Sequence, residues 1–124
     1  YKRIEREAKE VTGGTEVINT PDKANAVYLS GIVFPMTDSD PDYAALKMGN
    51  YLFGEAALAS RLSNRVRGEE GLSYGIGSMV NADAKDKRGG MQIFAITNPA
   101  NMKKVDGLVI EEINKFLKDG LSAE

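Results

Sequence analysis

The chain of 124 residues contains no cysteine, no histidine and no tryptophan. Without cysteine there is no disulfide, no thiolate nucleophile and no cysteine-rich zinc site. Without histidine there is no Ser-His-Asp triad and no imidazole-ligated zinc, so hydrolytic chemistry of those kinds must take its essential groups from elsewhere. Long apolar runs are missing too. None approaches the roughly 20 residues of a membrane span, and no signal-peptide pattern opens the chain. Charge of one sign is also lacking: 16 basic against 18 acidic residues leave a net charge of −2. That balance gives no electrostatic case for nucleic acid or an anionic membrane.

What remains is the composition of an ordinary soluble globular protein, long enough for one domain that buries roughly two thirds of its unfolded surface. The text begins at Tyr1 and stops at Glu124 in polar, helix-like sequence, as an excised piece of a longer protein would. Residues 1–10 are charge-rich with Ile4, Ala8 and Val11 at helical spacing, which reads as a short helix or a lead-in arm. Gly13-Gly14 breaks it, and residues 16–19 form a candidate strand before the Pro21-Asp22 turn. "ANAVYLSGIVF" is apolar and rich in β-branched residues, and predicts a central strand over residues 24–34, buried on both faces.

A helix follows, capped by Asp40 with Pro41 as its first residue, placing Tyr43, Leu46, Asn50 and Phe53 on one face. Gly54 weakens it. A second helix over residues 57–67 spaces Leu58, Leu62 and Val66 by four, and Gly71 is placed to end it. Residues 73–80 and 91–97 read as strands whose short connection demands antiparallel pairing. The last helix starts at Asn98-Pro99, turns Met102, Val105, Val109, Ile113 and Phe116 inward, and stops at Gly120. The order predicts an α+β fold with helices packed on one face of a mainly antiparallel sheet.

Three stretches could carry chemistry. "DSDPD" alternates Asp38, Asp40 and Asp42 as a calcium loop does, but Tyr43 stands where that loop needs glycine and Gly49 where it needs a bidentate glutamate. Acidic residues near a helix N-terminus are favoured by the dipole alone. "GIGS" resembles a phosphate loop but enters a strand instead of opening a helix. There, Gly75 and Gly77 lie on one face and Tyr74, Ile76, Ser78 and Val80 on the other, so something should pack closely against the bare backbone. The third is "SRLSNRVRGEEGLSYGIGS", where Arg61, Arg65 and Arg67 crowd a helix end beside Glu69 and Glu70. Spacing alone favours a solvated, internally paired face. The other reading is chemical. A helix that reverses at Gly71 can bring Arg67 and Tyr74 to one sheet edge, as two protonated donors suited to a peptide carbonyl or its oxyanion.

"LASRLSNRVRGEEGLSYGIGS" resembles the C-terminal half of the insulinase/pitrilysin zinc peptidases, which include the mitochondrial processing peptidase. Ser60-Arg61-Leu62 and Gly71-Leu72-Ser73-Tyr74 match the family pattern, with Arg67 seven residues before Tyr74. "PDKANAVYLSG" and "DYAALKMGNYLFGE" resemble the strand and helix that precede it, so the likeness covers residues 16–120. Members are clamshells of two homologous halves, the N-terminal one carrying the zinc motif H-x-x-E-H. No such motif stands in residues 42–53, which identifies this chain with the half that lacks metal.

The resemblance implies the substrate-binding C-terminal portion of a zinc-dependent endopeptidase. The zinc belongs to the absent half and none is bound here. Arg67 and Tyr74 would be the catalytic-site contributors, contacting substrate carbonyl groups and the tetrahedral intermediate. The partners implied are the N-terminal zinc-binding half, or a partner subunit supplying it, and a peptide substrate. Residues 1–22 would be a lead-in segment and residues 23–120 the peptidase-like domain, together one partial domain shorter than a complete half. A sheet left uncovered by the remainder should expose an edge or apolar patch, and with it a route to self-association. Two other readings stay open: a non-catalytic core or scaffold subunit of the same fold, and an unrelated α+β binding module.

Overall fold

The β-branched stretch ending in "GIVF" does form a strand, β1 (Ala26–Phe34), in the computed structural model, which describes residues 1–120. β2 (Ser73–Ala82) and β3 (Gly89–Thr97) complete a three-stranded sheet in the order β1-β3-β2, antiparallel throughout. The register sets Tyr28 and Ile76 opposite Ala95, with Ser30 and Ser78 opposite Ile93. These rows form the face that the helices cover, and the architecture is the expected α+β layer. The core is small and dense: Leu62, Val66, Ala95, Val105 and Val109 are fully buried, joined by Phe53 and Ile93.

β1 is an edge strand, not the doubly buried central strand its composition suggests. Val27, Leu29 and Val33 are more than half exposed, and with Phe94, Ile96 and Met79 they give the outer sheet face an apolar surface. An apolar run specifies a hydrophobic strand but not how many of its faces are covered. The N-terminal residues depart from expectation as well. Neither a helix over residues 1–10 nor a strand over residues 16–19 forms. Instead Arg3 pairs with Asp86 at 3.1 Å, and the Ala8 amide donates to the Lys87 carbonyl. Ile4, Val11, Val17 and Ile18 stay exposed, so apolar spacing there had nothing to pack against. The helix-like text at residues 121–124 lies outside the described residues.

The helical layer keeps the predicted positions but changes pitch. Helix α1 (Tyr43–Asn50) starts two residues after Pro41, because the Asp40 carboxylate accepts the Asp42 amide at 3.0 Å and holds a turn there. It widens into a π-helix at Tyr51–Glu55. Gly54 is buried against β2, where a Cβ would stand 2.2 Å from Ser78 Oγ. So Gly54 is there for close approach, and it does more than weaken a helix. Beside it, Ser78 Oγ donates to Asn50 Oδ1 at 2.6 Å, and Asn50 Nδ2 donates to Glu55 at 2.8 Å. A 3₁₀ turn (Ala57–Ala59) leads to a second π-helix at Ser63–Glu69, in place of the continuous α-helix expected over residues 57–67.

Helix α2 (Met102–Asp119) follows its signals closely. The Asn98 side chain accepts the Ala100 amide, and Pro99 opens a 3₁₀ turn (Pro99–Asn101) that leads into it. Gly120, at φ +67°, donates its amide to the Phe116 carbonyl and ends the helix. Between α1 and α2 a cavity of about 610 Å³ opens over Tyr28, Ile32 and Ile93.

One substitution at two glycines checks this packing. Gly54→Ala should lose about 1–3 kcal/mol, since overpacking must displace Ser78. Gly107→Ala, in α2 with open space around it, should gain about 0.5–1 kcal/mol. Urea denaturation midpoints of the two variants should therefore move in opposite directions.

Candidate functional site

The site begins with what the second π-helix must bury. Leu62 and Val66 are both 0% exposed, four residues apart, and lock that side of the segment into the core. Arg61 and Arg65, also four apart, lie together toward α2. Arg61 Nε donates to Glu112 Oε2 at 2.8 Å, and its guanidinium stands 5.9 Å from the Phe116 ring centre. Arg65 donates to Glu69 and Glu70 at 3.0 and 2.5 Å, and reaches Glu112 at 3.6 Å. Lys115 closes the far side on Glu111 at 2.6 Å, and that hydrogen bond holds the Glu111 carboxyl below its usual range.

Arg67 stands apart. It is exposed and, among the described residues, makes no ion pair or side-chain hydrogen bond. The neighbouring glutamates are held by Arg65, so the internally paired face that spacing favours is real for Arg65 and absent for Arg67.

The chain then reverses. Gly71 takes φ +63°, a conformation that favours glycine, and the Leu72 amide donates to the Val66 carbonyl at 3.0 Å. Thr97 Oγ1 donates to the Leu72 carbonyl, fastening the turn to β3. β2 opens with a bulge: Ser73 pairs with Thr97 and Gly75 with Ile96, leaving Tyr74 as the extra residue. The Ser73 hydroxyl lies 2.7 Å from the Gly75 carbonyl and 2.9 Å from the Ile96 carbonyl, and accepts the Gly75 amide at 3.1 Å.

The bulge corrects the expected alternation. Ile76, Ser78 and Val80 are buried, but Ser73 joins them and Tyr74 is 68% exposed. One inserted residue shifts everything before it by one face. Close packing against the glycines is half realised. A Cβ at Gly77 would meet the Gly54 carbonyl and the Phe94 ring at 3.1 Å, whereas Gly75 has nothing within 4 Å. Tyr74 therefore sits beside open backbone.

Glu112 is what sequence reasoning missed. It is 3% exposed, on a helix whose expected inward stripe named Ile113 instead. Only part of the signal is in the sequence: Glu112 follows Val105 by seven residues and Val109 by three, on the same stripe, and the structure sets it facing Arg61 and Arg65. The Asp38, Asp40 and Asp42 cluster is taken up by turn geometry. Among the described residues no group of three or more Asp or Glu could hold a metal ion, and the sequence has no histidine or cysteine to offer a catalytic zinc. No helix there is long and apolar enough to cross a membrane.

The family model described as the peptidase M16 inactive domain matches residues 1–124. No curated protein matches the chain. Among solved structures, the crystal structure of a peptidase M16 inactive domain from Pseudomonas fluorescens superposes with a TM-score of 0.73 at 28% identity. A conserved protein from Enterococcus faecalis V583 does so with a TM-score of 0.63 at 22% identity, a likeness of fold alone. The matches cover 81% and 78% of this chain but only 24% and 22% of those proteins, so this chain spans about a quarter of their length.

The arrangement predicts a split between the arginines. Arg67→Ala should change stability by less than about 0.5 kcal/mol, as exposed unpartnered residues do. Arg61→Ala, which strips a charged partner from a buried carboxylate, should cost about 1.5–3 kcal/mol. Thermal unfolding of the two variants compares them directly.

Proposed function

Because the chain belongs to the peptidase M16 inactive-domain family, we propose that it is the substrate-holding part of a metal-free half of a zinc peptidase. The observation that carries this reading is the separation within the motif. Arg61 and Arg65 are engaged by acidic partners, while Arg67 and Tyr74 are both exposed at the two ends of the Gly71 reversal.

Both side chains are donors suited to a peptide carbonyl. Arg67, charged and on the helix end, orients the bound peptide before reaction. Tyr74, beside the uncovered backbone of Gly75, lets an extended peptide approach and donates to the oxygen that becomes the oxyanion. The metal and its ligands belong to an N-terminal half, in the same protein or in a partner subunit, and no group among the described residues substitutes for them.

The test is peptide-cleavage kinetics on single variants of the full-length protein. Tyr74→Phe keeps the ring and removes one donor to the developing oxyanion, which typically lowers kcat by about a hundredfold to a thousandfold. KM should change much less, since that bond matters most in the transition state. Arg67→Ala should raise KM, because it removes a contact made before reaction. A Tyr74→Phe variant that folds and retains near-normal kcat would leave the stretch as a helix-to-strand turn in a scaffold subunit.

A further inference from the structure

Glu112 takes no part in the roles above, yet it is a carboxylate buried to 3% exposure on which two arginines converge. Its oxygens are divided: Oε2 accepts from Arg61 at 2.8 Å, and Oε1 lies 3.6 Å from Arg65 and 3.5 Å from Lys115. Stability is a weak reason for such an arrangement. Exchanging a buried ion pair for apolar residues of similar volume is often neutral or stabilising. Direction is a better one. A planar guanidinium meets a carboxylate in a narrow range of geometries, so the Arg61 bond, with the charge of Arg65 nearby, holds the start of the helix to the rotation that the burial of Leu62 and Val66 favours.

That rotation decides where Arg67 goes. Two residues beyond Arg65, it is turned by about 200° at ordinary helical pitch, and still by roughly half a turn where the helix is widened. Bonding Arg61 to α2, with Arg65 on the same side, therefore turns Arg67 away from α2 and its acids.

We propose that Glu112 is a positioning residue for Arg67: through its bond to Arg61, supported by Arg65 nearby, it holds the rotation that the core allows the Ser63–Glu69 helix, and so the place from which Arg67 reaches a bound peptide. This rests on the reading of Arg67 as a substrate contact. It assigns α2 a share in substrate affinity.

A double-mutant cycle in the full-length protein tests it, with peptide-cleavage kinetics and melting temperature recorded for each variant. Glu112→Gln, close in shape but uncharged, should raise KM by about tenfold with kcat nearly unchanged. Glu112→Asp should recover part of that loss. The decisive readout is the pair: Glu112→Gln combined with Arg67→Ala should show the KM of Arg67→Ala alone, because Glu112 has nothing left to position. A general structural role would instead multiply the two effects, and that result overturns the proposal. If Glu112→Gln does not fold, Arg61→Gln enters the same cycle from a partly exposed position, with the same expected non-additivity. An unchanged KM in Arg61→Gln or Glu112→Gln, with KM raised in Arg67→Ala, sinks the positioning role and leaves the substrate contact standing. An unchanged KM in Arg67→Ala sinks the contact itself, and the positioning role falls with it.

Discussion

Leu62 and Val66 can enter the core in only one way, and most of the molecule's surface chemistry follows from that. Both are fully buried among Ala95, Val105 and Val109. Their burial turns the neighbouring residues either toward α2 or toward solvent. Arg61 and Arg65 fall toward α2 and meet Glu112; Arg67 falls outside and meets nothing. A sequence in which three arginines look interchangeable becomes a structure in which one position has a different fate from the other two. The apolar spacing makes that choice in outline, and the bond from Arg61 to Glu112 lies on the side it leaves facing α2.

The reversal after the helix is controlled as tightly. A helix that widens to a π turn ends with its carbonyls displaced, and the Leu72 amide reaches back six residues to Val66 instead of the usual five. Gly71 supplies the left-handed backbone, and the Ser73 hydroxyl, held among three backbone groups of β2 and β3, stabilises the bulge. Each device moves Tyr74. Without the bulge, the alternation of β2 would carry Tyr74 onto the buried face beside Ile76. With it, Ser73 is buried and Tyr74 is exposed. Local irregularity here is what puts a phenol at the surface next to a bare glycine.

This also explains what could be read from the sequence. The fold class, the antiparallel hairpin and α2 were legible because caps, glycines and periodicity all agreed: Asn98-Pro99 at one end, Gly120 at the other, Val105 and Val109 between. β1 was legible as a strand but not as an edge, since coverage is a property of neighbours. The π turns and the bulge were not legible. They arise from one-residue differences in hydrogen-bond register, and the widened end of the first helix lies where Gly54 is pressed to Ser78, a tertiary contact. Glu112 was hidden for another reason. A lone carboxylate on an apolar stripe reads as a solvated flank unless the arginines facing it are already known to sit across the layer. Arg67 and Tyr74 were named from motif and spacing, and the fold leaves both of them exposed.

A domain that cannot hold a catalytic metal can still carry parts of a reaction, because the requirements differ. A metal seat needs several ligand atoms converging within a few ångströms, and among the described residues this chain offers no such group. A donor needs only to be protonated, accessible and fixed in direction. The first condition comes with arginine and tyrosine as residue types, and the second with the exposure of Arg67 and Tyr74. The third must be built, and it is built from opposite materials at the two ends of one short turn. Hydroxyl-to-backbone bonds in the strand shape the bulge under Tyr74, and a buried carboxylate on the opposing helix bonds Arg61 just before the segment that carries Arg67. On this reading the most buried charge in the layer and the most exposed phenol in its motif serve the same end.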